Sequence, residues 1–222
     1  MNGQRYTSTE QIELITDPDE KARREAENGI LQTELALEII RNHVKDRERP
    51  FRLRQGILMQ LHDVALRGIH LLAGTFRNGP ATIHGSNHDP PPSFQVADEV
   101  ADLCEYVNGN WNAKSALHLC AYVLWRLNWI HPFADGNGRT ARALSYVVLS
   151  IKLDSLLPGT KTIPDQIAGD KTPYYEALEA ADGAWKRTRE VDVSRLENML
   201  GGMLANQLLQ AAREAEGVSK DT

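Results

Sequence analysis

Apolar residues recur along most of this chain at the three-and-four spacing that lays them on one face of a helix. Thr16-Asp17-Pro18-Asp19-Glu20 opens the first such stretch. Asp17 can cap it, Pro18 suits the first helical position, and Glu20 can close a capping box. Gly29 is expected to end or bend that helix, and a second would carry Ile30, Leu31, Leu35, Ile39 and Ile40. Residues 53–72 place Leu53, Ile57, Leu58, Leu61, Ala65, Ile69 and Leu72 on one face, with Gly74 as the breaker. Val96, Val100, Leu103 and Val107 follow Ser93, a candidate cap, and Asn108-Gly109-Asn110 closes that helix. From about Ala113 to Ile130 nearly every side is apolar, which predicts a buried helix. Ala141, Leu144, Val147, Val148 and Ile151 mark the next. Pro173 heads another, and Leu196, Leu200, Met203 and Leu204 belong to a last helix over about 194–212. Gly201-Gly202 inside it suggests close packing or a kink.

The periodicity lapses between Arg77 and Ser93. Asn78-Gly79-Pro80 and Gly85-Ser86-Asn87 are turn chemistry, and Ala81-Thr82-Ile83 between them suits a short strand. The prolines exclude a regular sheet there. The expectation is an all-α bundle: a loosely ordered 1–15, N-terminal helices over 16–50, a core domain over 51–212 and a flexible tail over 213–222.

Composition narrows the function. The length of 222 residues suits one domain, and 41% hydrophobic content supplies a core. A net charge of −5 argues against a general nucleic-acid binder. Cys104 and Cys120 lack ligand spacing and read as buried thiols in a reducing compartment. No apolar run is long enough to span a membrane, and Met1 to Thr9 is too polar for a signal peptide. A cytoplasmic protein is expected, without membrane or nucleic-acid partners; a homo-oligomer is compatible with the sequence.

Between two strongly apolar helical segments lies Ile130-His131-Pro132-Phe133-Ala134-Asp135-Gly136-Asn137-Gly138-Arg139-Thr140-Ala141-Arg142. A glycine-rich turn feeding a helix exposes unpaired N–H groups and the positive end of the helix dipole, which is a phosphate site. Arg139 and Arg142 share a face of the first turn, where arginine opposes the dipole unless an anion lies between. Asp135 is a hard oxygen ligand, and one carboxylate plus phosphate oxygens is how Mg²⁺ is usually held. His131 could take a proton from an attacking hydroxyl. Separately, His131-Pro132 would pass for a helix stop and residues 135–138 for a surface turn. Together they read as a nucleotide-phosphate site with a metal and a general base.

At these residues the sequence resembles the Fic (filamentation induced by cAMP) family. Its motif is His-Pro-Phe-x-Asp/Glu-Gly-Asn-Gly-Arg-x-x-Arg, and residues 131–142 match every specified position. The resemblance implies a helical fold with a short β-hairpin flap. It also implies transfer of AMP from ATP to a hydroxyl side chain on an extended segment of a target protein. His131 would be the base and Asp135 the Mg²⁺ ligand. Gly136, Asn137 and Gly138 would hold the α-phosphate region, Arg139 the β-phosphate and Arg142 the γ-phosphate. The flap would be Thr82, Ile83, His84 and Gly85. Tyr174, Tyr175 and Asp182 would stand near the adenine, with core packing the alternative for one tyrosine.

Many relatives carry an inhibitory helix with the pattern Ser/Thr-x-x-x-Glu-Gly/Asn, whose glutamate pairs with the last motif arginine. Glu27-Asn28 fits its final two positions, but Arg23 stands where Ser or Thr belongs. Glu27 is either that inhibitor or a solvated glutamate on a charged face. His62 and His70 read as structural, His84 and His88 lack the third partner that a metal site needs, and His118 reads as a core or surface histidine. The expected activity is protein adenylylation with MgATP as co-substrate. The rivals are removal of AMP, phosphate transfer, and a non-catalytic module that binds nucleotide or protein. Phosphate-transferring relatives lack the second glycine of the motif, which here is Gly138.

Overall fold

The computed structural model describes residues 6–8, 13–46, 48 and 50–217. Its elements are β1 (Tyr6–Ser8), α1 (Pro18–Lys45), α2 (Gln55–Leu66), β2 (Thr82–His84), a 3₁₀ turn (Ser93–Gln95), α3 (Val96–Gly109), α4 (Ala116–Ile130), α5 (Asn137–Lys152), α6 (Ile163–Gly169), α7 (Thr172–Thr188) and α8 (Ser194–Ala215). The fold is all-α, as the periodicity predicts.

The bundle is built around α4. Ser115 caps it by accepting the His118 N–H at 3.0 Å. Leu119, Cys120, Val123, Leu124 and Leu127 are sealed from solvent, and α3, α5, α7 and α8 pack about them. On α5, Ala141, Leu144, Val147 and Val148 are equally buried. The apolar face of α5 therefore lies along α4, and only six residues join the two helices. Both cysteines are buried and unpaired with each other, and burial pushes their thiols up to about 11 and about 12. Among the described residues no helix is long and apolar enough to cross a membrane.

Three expectations change. Gly29 does not end the first helix, which runs unbroken through it. The glycine sits on the open side of α1, while Asn28, Gln32, Ala36 and Ile40 form the buried stripe. Asn28 Nδ2 donates to the Ala65 and Arg67 carbonyls, and Gln32 Nε2 to the Leu61 carbonyl. The face of α1 is thus set partly by amides, and Ile30 and Leu31 are left exposed. Second, α2 is shorter than the 53–72 pattern, since its chain leaves the helix near Gly68 at positive φ. Third, Ser93 does not cap α3 through its side chain; its hydroxyl donates to the Asn78 carbonyl and ties the loop base.

The strand expected around Thr82 exists, but its partner is remote. β2 pairs antiparallel with β1, in the register Tyr6 with His84, Thr7 with Ile83 and Ser8 with Thr82. The N-terminal stretch read as loose is therefore partly strand. It is also fastened by the Leu14 N–H on the Ile69 carbonyl at 2.8 Å. Of the expected tail, 213–215 extend α8, and 218–222 lie outside the described residues, as do 1–5 and 9–12.

Candidate active site

His131 ends α4 in the left-handed region, with φ 52°. That conformation turns the chain out of the helix and into the glycine segment. Gly136 repeats the turn at φ 73° and starts α5. The glycine is required twice over, because a Cβ there would collide with Leu66 Cδ2 on α2. The amides of Asn137, Gly138 and Arg139 precede the first internal bond of α5, Thr140 N–H to Gly136 C=O. They form the positive helix terminus expected for a phosphate bed.

His131 is 6% exposed. Its Nδ1 lies 3.3 Å from the Asn128 carbonyl, which can only accept. Nδ1 therefore carries the proton, and the ring's lone pair is on Nε2. Burial foremost pushes the imidazole down to about 4. The ring is thus neutral near pH 7, the state a general base needs.

A cavity of about 220 Å³ connects the parts. Its cationic end is lined by His131, Asp135, Gly136, Asn137, Gly138, Arg139 and Arg142. Lys171 adds a third cation, which the sequence reading missed. Burial and then the two arginines hold the Lys171 ammonium below its usual range, a cluster of like charge that favours a polyanion. The other end is walled by Trp125, Trp129, Tyr174, Tyr175 and Leu178. Asp182 lies there with its carboxylate accepting the Trp125 indole N–H at 2.8 Å. Tyr174 is a core residue as well as a wall, with its hydroxyl accepting from Asn128 Nδ2 at 2.8 Å. Ile83 and Ser86 close the cavity from the β2 side; Thr82, His84 and Gly85 belong to the same loop but are not in its lining.

Asp135 Oδ1 accepts the Gly136 N–H at 2.6 Å and Oδ2 meets Arg139 Nη2 at 3.2 Å. The carboxylate is 44% exposed at the cationic end. Among the described residues no three His, Cys, Asp or Glu side chains gather as a metal cage. A single accessible carboxylate beside a phosphate bed fits Mg²⁺ that arrives with a triphosphate.

Two site expectations need correction. The Asn137 amide is spent on its own loop: Oδ1 accepts the Phe133 N–H at 2.9 Å and Nδ2 donates to the Phe133 carbonyl at 2.8 Å. It braces the turn. Glu27 is not brought to the site: it is 58% exposed and pairs with Arg24 at 3.4 Å. With Asn28 fixed on α2, the residue before it turns away, whereas Glu25, three before, shares Asn28's face. Glu25 Oε1 lies 3.2 Å from Arg139 Nη1.

The sequence also hid the supports. His62 Nδ1 accepts the Gly74 N–H at 2.9 Å, and Nε2 donates to the Asp135 carbonyl at 3.0 Å. His88 Nε2 donates to the Trp129 carbonyl at 2.7 Å and the ring lines the cavity. Both lie far from the motif in sequence, and neither residue type alone distinguishes a support from a core histidine.

The fold and this site define a helical protein with a cavity, cationic at one end and aromatic at the other, beside a buried histidine and a helix N-terminus. Residues 52–149 match the model of the Fic/DOC family. The structure is similar to a Fic domain containing signaling protein from Bacteroides thetaiotaomicron, with TM-score 0.70 and 22% identity, covering 87% of this chain and 74% of that one. It is similar to Fic-1 (residues 134–508) from C. elegans, with TM-score 0.66 and 18% identity, covering 88% and 53%. It is also similar to the BepC protein from Bartonella tribocorum with bound AMPPNP, with TM-score 0.53 and 15% identity, covering 85% and 88%. At these identities the structural matches establish the fold.

Proposed function

We propose that this chain is a protein adenylyltransferase, which moves AMP from MgATP to a Ser, Thr or Tyr hydroxyl of a target protein in the cytoplasm. The observation that carries the reading is the buried His131 ring beside the glycine-rich start of α5, with Nδ1 3.3 Å from the Asn128 carbonyl, a contact that assigns the proton to Nδ1 and the lone pair to Nε2. In this reading His131 Nε2 accepts the proton of the hydroxyl as its oxygen bonds to the α-phosphorus. The bond from that phosphorus to pyrophosphate breaks. Gly138 and the other α5 amides, with Arg139, Arg142 and Lys171, meet the negative charge on the triphosphate. Bound through Asp135 and the phosphates, Mg²⁺ would neutralise charge on the leaving group. The aromatic end of the cavity suits an adenine, with Asp182 placed to accept from its amine.

The match of residues 52–149 to the Fic/DOC model supports nucleotide chemistry, since Fic domains typically transfer AMP, as does the likeness to the Bartonella protein crystallised with AMPPNP. The intact Gly136 and Gly138 disfavour phosphate transfer. In this reading the β2 loop is the surface on which an extended target segment docks by strand addition. One edge of that strand is paired with β1, so an added segment takes the other edge. The test is mass spectrometry of lysate proteins after incubation with the enzyme, ATP and Mg²⁺. The expected result is an added AMP on target hydroxyls, absent with His131→Ala. No added AMP in the presence of a nucleotide-loaded enzyme would favour a binding module.

A further inference from the structure

We infer that Arg77 is a positioning residue for His131, setting its backbone and the cavity's β2 roof in one register. The inference rests on the reading of His131 as the base. Arg77 is 3% exposed, and among the described residues it makes no salt bridge. Burying a guanidinium is costly unless its donors are satisfied. Here the donors go to backbone carbonyls. Nε donates to His131 C=O at 2.8 Å, Nη1 to Gly79 C=O at 2.9 Å, and Nη2 to Pro91 C=O at 2.5 Å and Ile130 C=O at 3.4 Å. Its main-chain N–H donates to Pro132 C=O at 2.9 Å.

These partners fall into two sets. Ile130, His131 and Pro132 are three consecutive carbonyls at the end of α4, where the helix dipole is negative and a cation is favoured. Gly79 and Pro91 flank β2 on its incoming and outgoing sides. One planar fork therefore ties both arms of the β2 loop to the residue that bears the imidazole. That residue holds a left-handed conformation without being glycine, so its backbone needs holding. The loop so tied supplies Ile83, Ser86 and His88 to the cavity. A lysine cannot replace the fork, because one ammonium is a point donor and the carbonyls lie in several directions.

The experiment compares the parent with Arg77→Met and Arg77→Lys in three readouts: thermal unfolding, affinity for a fluorescent ATP analogue, and the rate of label transfer from ATP. The ring of His131 is followed by NMR of protein labelled at histidine, its signals assigned with His131→Gln. Expected in whichever variants fold is analogue affinity within about 3-fold of the parent and kcat lower by about 100-fold, the cost of a misplaced catalytic group. The His131 ring signals move or broaden while those of His118 stay. A kcat within about 2-fold of the parent in either variant would overturn the inference, as would analogue affinity falling in step with kcat. Should the parent transfer no label, the proposed function fails separately. The NMR arm then decides, because unmoved His131 signals in a folded Arg77 variant contradict the positioning role.

Discussion

His62 lies flat on Phe133, with ring centroids 3.6 Å apart and planes 3° from parallel. The stack presses α2 against the turn that carries Asp135, whose carbonyl accepts the His62 Nε2 proton. His62→Leu keeps an apolar body but leaves the Gly74 N–H and Asp135 C=O without this partner. Each such loss costs about 1–3 kcal/mol. The expected outcome is a lower melting temperature together with a fall in transfer rate of about 10- to 100-fold, as the loop under Asp135 shifts. Thermal unfolding and transfer kinetics on the same preparation check both. Full activity in a destabilised protein would show that the stack is structural alone.

The same ring gives the fold an acid sensitivity. Burial foremost holds both His62 and His131 down to about 4, against an ordinary 6.5. Between those values the unfolded chain binds more protons than the native one. The stability is therefore full above about pH 6.5 and declines as pH falls toward about 4. Melting temperature is expected to fall between about pH 7 and about pH 5, less steeply in His62→Gln than in the parent. A parallel or steeper decline in the variant would contradict this assignment.

Gly136 should tolerate no side chain. Gly136→Ala places a Cβ against Leu66 Cδ2 at a positive φ. A destabilisation of about 1–3 kcal/mol is expected. Denaturant unfolding of the purified variant measures it, and a change below about 0.5 kcal/mol would mean that the turn adapts.

Glu25 pairs with Arg139, which in the proposed reaction meets a phosphate, whereas Glu27 faces Arg24. Removing the competing carboxylate in Glu25→Ala should tighten ATP binding by about 2- to 5-fold, the scale of a half-exposed ion pair. Glu27→Ala should leave it unchanged. Calorimetric titration with ATP and Mg²⁺ distinguishes the two. The opposite ranking would restore Glu27 as the inhibitory residue.

What was legible in the sequence, and what was not, follows from how far each signal reaches. The motif over 131–142 is a local word whose residues meet because one turn joins α4 to α5, and the apolar pattern placed both helices. The reach of Glu27 could not be read, because it depends on the rotation of α1, fixed by Asn28 and Gln32 against carbonyls of α2 and the turn after it. Apolar counting gives no weight to such amides, and it does not separate the exposed Ile30 and Leu31 from the buried Ile40. The pairing of β2 with β1 is a contact across more than seventy residues between three-residue strands, too short to carry a pattern. Arg77, His62 and His88 act on backbone groups, which have no sequence signature at all. Trp125 and Trp129 sat within a helix read correctly as buried, but periodicity does not say which buried residues line a cavity.

The most direct measurement is label transfer from ATP to protein, run in parallel with the label on the α- or the γ-phosphate, for the parent and for His131→Ala. Transfer from the α-label alone, lost in His131→Ala, is the result expected of a nucleotidyl transfer with His131 as base. Transfer from the γ-label would reverse the orientation of the triphosphate over Arg139 and Arg142 and contradict the proposed reaction.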